Sequence, residues 1–318
     1  MIEAVSSSAS RSAASSEAAL ARMLTPASST SYKKYPKSFP RFSGLFSSTV
    51  FLDSGETHSD RRPPPIGTDQ KRSSMSHLHV RERPSPRVTA NELARYIHGS
   101  HVTQEAVIRA ARFQPTAPSV RYKGAREAIR TYLADPARSA RILEHGRARL
   151  RAVEADVEST VFQREDARAS IAALDDFEGG QNALGLGGTR TEAPPAGIPP
   201  LSIEGVQVSV TLDAMVRATH PRRGAVAGGV LLRMSKGQDA ETDGAAARRQ
   251  ELGTTAAVLV YIFARERLSL YGQARPDLCV SVDVQRQEAY AAPASFRMRE
   301  NNIRAACRAI AARWGSIG

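Results

Sequence analysis

IEGVQVSVTLDAMVRA, running from Ile203 to Ala218, decides how the second half of this chain is read. From Leu201 to Val210 apolar and polar residues alternate, with Ile203, Val206, Val208 and Val210 apolar, which is the signature of a half-buried strand. The pattern continues through Asp213 to Val216, so one strand is expected with a single carboxylate among apolar neighbours. Downstream, THPRRG (Thr219–Gly224) is a turn and AVAGGVLLRMS (Ala225–Ser235) a second strand, whose paired glycines bring backbone close to a neighbour. After a loop with Lys236, Gly237 and Asp239, Asp243 to Leu268 joins a polar half to the apolar run TTAAVLVYIFA. Its length favours a mostly buried helix over a strand. PDLCVSVDVQRQEAY (Pro276–Tyr290) reads as a hairpin in which Leu278, Val280, Val282 and Val284 alternate. Ile303, Cys307, Ile310 and Trp314 form the docking stripe of a last helix capped near Ser295.

Upstream of Leu201 the pattern is helical. Thr89 with Glu92 is a capping box, and Leu93, Tyr96 and Ile97 follow it. Gly99 interrupts, and Val102 to Phe113 continues until Pro115. A helix-turn-helix motif needs a small residue where Arg95 stands, so two packing helices are expected instead. Ser119–Leu133 is amphipathic, a further helix starts at Pro136, and Arg164–Glu178 carries Ala167, Ile171, Leu174 and Phe177 on one side. Arg138, Arg141, Arg147, Arg149 and Arg151 alternate with Glu144, Glu154 and Asp156, which predicts a solvated salt-bridge face. EGGQNALGLGGTRTEAPPAGIPP (Glu178–Pro200) is a Gly/Pro-rich connector; its glycines neither follow a strand nor open a helix, as a phosphate-binding loop requires.

Composition then sets the domains. Residues 1–74 hold 18 serines and no apolar periodicity, too little apolar surface to offset chain entropy, and disorder is expected there. Met75 stands where the composition changes, so it is either the true translation start or the end of a flexible or targeting-like Ser/Arg-rich tail. Residues 75–185 read as a helical region, 186–200 as the linker and 201–318 as an α/β domain with a mixed sheet flanked by helices. No stretch approaches the 18 uninterrupted apolar residues of a membrane span, and no membrane partner is expected. The formal charge is +12, from 44 Lys and Arg against 32 Asp and Glu; residues 1–74 supply ten minus six, or +4, leaving +8 for the remainder. Nearly all of the base is arginine, which suits phosphate contacts and hence DNA or RNA, but a GC-rich bacterial genome produces the same bias. Cys279 and Cys307, both in apolar patterns, read as buried free thiols in a reducing, cytoplasmic setting.

The segment GVQVSVTLDAMVRATHPRRGAVAGGVLLRMSKG, followed by ARRQELGTTA, resembles the core of the PD-(D/E)XK nuclease superfamily, particularly its RecB-like branch. The resemblance implies a restriction-endonuclease-like α/β core in which acids on adjacent strands hold Mg²⁺ beside the scissile phosphate. It places Asp213 as first acid and metal ligand, Arg233 where a lysine contacts phosphate, and Gln250 where a helix glutamine positions the strand. Leu231 stands where the second acid belongs, and Glu165, Asp166 and Glu178 are the carboxylates nearest in sequence to replace it. With that acid missing, the expectation is an inactive or atypical nuclease-like core that binds nucleic acid. The alternative is a non-catalytic interaction or scaffold protein. Elsewhere His77 and His79 lack partners at metal spacing, His220 sits in a turn, and no Walker, G-x-S-x-G or Cys/His cluster is present.

Overall fold

The computed structural model describes residues 80–115, 121–182, 184–185, 190–235 and 242–317. The expectations for residues 1–74, for Met75, for His77 and His79, and for the loop at Lys236, Gly237 and Asp239 lie outside these residues. The described part is α/β, with mixed sheets flanked by helices. It opens with β1 (Val80–Glu82), β2 (Arg87–Thr89), α1 (Ala90–His98), α2 (His101–Arg112) and β3 (Phe113–Pro115). Three helices follow: α3 (Lys123–Ala134), α4 (Ala140–Ala155) and α5 (Val161–Gly180). Then come β4 (Thr191–Glu192), β5 (Leu201–Ile203), β6 (Val206–Ser209), β7 (Ala214–His220) and β8 (Gly224–Arg233). Helix α6 (Asp243–Arg267), β9 (Gln273–Asp283), β10 (Glu288–Ala291) and α7 (Arg297–Arg313) complete it.

Local chemistry sets several of these boundaries. Thr89 with Glu92 caps α1, and Thr160 with Gln163 caps α5; in each case side chain and backbone exchange bonds so that two end N–H groups are satisfied. The expected single strand from Leu201 to Val216 is instead three strands in two sheets. Glu204 and Gly205, at φ of 48° and 80°, turn β5 back on β6, and the chain then breaks before β7. Asp213 therefore precedes a strand instead of lying within one. Thr191 and Glu192, read as connector, pair with Val216 and Met215 as a short edge strand.

The larger sheet has the order β10-β9-β8-β7-β4. Strands β8 and β9 are parallel, joined through α6, and every other pairing in it is antiparallel. A separate three-stranded sheet has the order β2-β6-β5 and includes one parallel pair. Because side chains alternate across a sheet, β8 feeds two cores. Val230 and Leu232 join α3, α4 and α5 with Val282 and Val284, while Leu231 joins α1, α6 and α7. Helix α6 is buried from Gly253 through Ala264 apart from Thr254 and Tyr261, which explains its weak amphipathic pattern: apolar partners surround it on several sides. Burying each of its Leu, Val and Phe side chains contributes about 1.5–3 kcal/mol.

The expected close approach at the paired glycines occurs: a Cβ on Gly228 would stand 2.1 Å from the Leu278 carbonyl oxygen, beside the irregularity in the β8–β9 register. The arginine face of α4 is solvated only in part. Arg141, Arg149 and Arg151 are exposed, but Arg147 is 4% exposed and bonded to Glu144 at 2.7 Å, to Asp175 at 2.8 Å and to Glu178. That side chain clamps α4 to α5. Cys279 and Cys307 are buried and unpaired, and burial pushes the Cys307 thiol up to about 12.

Candidate functional site

Asp213 sits at the C-terminal edge of β8, where its backbone N–H donates to Val230. Its carboxylate is almost wholly removed from solvent and fully engaged. Arg126 on α3 donates from Nε to Oδ1 at 2.6 Å and from a terminal nitrogen to Oδ2 at 2.8 Å. The Leu232 N–H donates to Oδ2 at 2.7 Å, and Arg130 stands 4.0 Å away. This is a bidentate fork closed by a backbone donor, the strongest form of carboxylate–guanidinium pairing. Burial alone disfavours the Arg126 cation, but the bonds and attraction of Asp213 outweigh it and raise the guanidinium pKa.

Such an acid is a poor Mg²⁺ ligand, because both oxygens are committed and the two nearest charged groups are cations. The second acid is absent, with Leu231 buried on the α6 face. Of the carboxylates that could replace it, Asp166 accepts from the Tyr122 N–H at 2.8 Å, Glu178 binds Arg147, and Glu165 stands exposed on α5. Among the described residues no group of three His, Cys, Asp or Glu is placed to hold a metal ion. The residues present do not fit the metal that the resemblance implies.

Arg233 and Gln250 lie on the other face of the sheet. Arg233 is paired across β8 and β9 with Asp283, its terminal nitrogen 3.8 Å from the carboxylate. Asp283 is held by the Ser235 hydroxyl at 2.6 Å and is opposite Glu288 on β10. Burial pushes the Asp283 carboxyl up and the Arg233 guanidinium down, so each charge depends on the other. Gln250 lines a cavity of about 370 Å³ between the first turns of α6 and Glu288 and Tyr290 of β10, beside an Arg249–Glu288 bond of 3.2 Å. Asp213, Arg233 and Gln250 are thus not brought to one cleft.

What does gather around Asp213 is positive charge. A cleft of about 780 Å³ opens over α3 and the end of β8, lined by Arg121, Lys123, Arg126 and Arg130 against the single acid Glu127. A neighbouring pocket of about 330 Å³ shares Glu127 and Arg130 and is lined also by Ala193, Pro194 and Asp213. At the N-terminus of α3 the first turn holds no acid, and the Tyr122 N–H donates to the Asp166 carboxylate at 2.8 Å. The sequence reading gives Ser119–Leu133 only as an amphipathic helix, with no role for its polar face. The signal was nevertheless present, since Lys123, Arg126 and Arg130 fall at i, i+3 and i+7, a basic stripe opposite the apolar one. No family model matches the chain, and no curated protein matches it. Among the described residues no helix is long and apolar enough to cross a membrane.

Proposed function

We propose that this chain binds nucleic acid through the α3 cleft, on a nuclease-like core that does not hydrolyse its ligand. The observation that carries this reading is the Asp213–Arg126 fork. In the resemblance, a carboxylate at this place holds a metal against the phosphate; here a guanidinium of the same chain holds the carboxylate. The surrounding Arg121, Lys123 and Arg130 remain at the cleft and suit phosphate oxygens. The order β7, β8, α6 and the β9–β10 pair supports the resemblance to PD-(D/E)XK nucleases. The missing second acid and the commitment of Asp213 support the loss of metal-assisted hydrolysis.

The test is binding of fluorescein-labelled oligonucleotides to the full chain, followed by anisotropy between 50 and 300 mM salt. Arg121 and Lys123, with Arg130 shared with Asp213 at 4.0 Å, predict a slope of log K against log salt of about −2 to −3. Replacing Lys123 and Arg130 by glutamate is expected to abolish most of that slope. A flat salt response in the parent protein would sink the nucleic-acid reading and leave the interaction-scaffold alternative.

A further inference from the structure

Arg126 commits only part of its guanidinium to Asp213. The fork uses Nε and one terminal nitrogen, Nη2. The other, Nη1, makes no hydrogen bond to a described residue and is not sealed from solvent. It is the reachable end of a side chain that is 32% exposed and lines the α3 cleft.

Asp213 is the fixed member of the pair. Its carboxylate has no solvent exposure and is tied to β8 by the Leu232 N–H at 2.7 Å, so the arginine is held to the sheet through it. Arg130, one turn further along α3, brings its Nε to 4.0 Å from the same Oδ1 and keeps 44% of its side chain exposed. Like charges four residues apart on a helix repel. Here two guanidiniums are drawn to one carboxylate, which neutralises one of them and leaves the other's charge at the cleft. A loose arginine loses rotamer freedom when it grips an anion, whereas one already held in place loses less.

We propose that Asp213 is a positioning residue, which sets Arg126 so that its Nη1 closes with Arg130 on one backbone phosphate of the bound strand. This rests on the nucleic-acid reading above. Charge alone predicts the opposite effect of removing it: Asp213→Asn takes a negative charge from a basic cleft and should tighten the hold on a polyanion. The test measures anisotropy of a fluorescein-labelled oligonucleotide at 50 mM salt with the full chain, Asp213→Asn, Arg126→Met and the double variant. Glu127→Gln removes the other acid of the cleft as a charge control, and circular dichroism reports that each protein is folded. Glu127→Gln is expected to bind more tightly, and Asp213→Asn and Arg126→Met each about tenfold more weakly, as for one lost charge-assisted bond. The double variant should bind no more weakly than Arg126→Met, because Asp213 acts only through Arg126. Arg126→Lys keeps the charge and one bond to Asp213 but has no second nitrogen to offer, and it too should lose about tenfold. Parent-like or tighter binding by Asp213→Asn or Arg126→Lys overturns the proposal while nucleic-acid binding stands. So does a double variant whose two losses multiply, the result of a general loosening of the cleft. A parent protein that binds no oligonucleotide overturns both.

Discussion

Exchanging Arg126 for methionine probes the buried pair from its more demanding side. Methionine keeps most of the aliphatic stem but removes the fork, and leaves a carboxylate that is about 1% exposed with one backbone donor and a guanidinium 4.0 Å away. Removing one partner of a buried pair costs about 3–5 kcal/mol, and the nearby Arg130 argues for the lower end. Asp213→Asn is the milder change. The amide oxygen still accepts from Leu232, and Arg126, whose side chain is 32% exposed, can recover hydration, so the loss is about 1–2 kcal/mol. With a urea slope of about 3 kcal/mol per molar, the midpoints should fall by roughly 1 M and roughly 0.5 M. Urea unfolding of the full chain followed by far-ultraviolet circular dichroism reads both. Adding Asp213→Asn to Arg126→Met should recover stability, because it removes the stranded charge. A cost for Asp213→Asn that equals or exceeds that of Arg126→Met, or strictly additive losses in the double variant, would refute the claim that the pair is a buried, mutually dependent unit.

Two further outcomes follow from packing and titration elsewhere. Gly253→Ala drives a methyl to 2.2 Å from the Tyr290 ring and should cost about 1–3 kcal/mol, read as a lowered urea midpoint; an unchanged midpoint would mean the α6–β10 contact is loose. His98, partly buried against the Thr255 hydroxyl at 2.8 Å, has its pKa lowered by burial. The unfolded imidazole therefore gains its proton near pH 6.5 before the folded one does, and this stability, present above that pH, is lost as pH falls. His98→Asn should flatten that part of the melting temperature's pH dependence, and an unaltered profile would show that other groups carry it.

Much of the fold was legible because its causes are local. The capping box at Thr89, the apolar stripe of Ile303, Cys307, Ile310 and Trp314, and the alternation of Leu278 to Val284 each need only neighbours in sequence. The break within Leu201–Val216 was also written there: Ile203 and Val206 fall on opposite faces of any one strand, with Glu204 and Gly205 between them. Alternation was followed across a change of phase. The site was hidden for a different reason. What Asp213 does depends on an arginine 87 positions away, whose approach is set by how α3 packs on the sheet. The resemblance places Arg233 on its strand but does not show the partner it meets there, Asp283 on the neighbouring β9.

The Asp213–Arg126 fork also changes what the protein depends on in its surroundings. An acid that grips its ligand through a metal works only as well as the local supply of that ion, and a chelator can disarm it. A guanidinium is carried by the polypeptide and arrives with every copy made. The geometry around Asp213 is therefore set by folding alone, and under the proposed reading the hold of the α3 cleft on an anion would answer to salt and to the state of the chain.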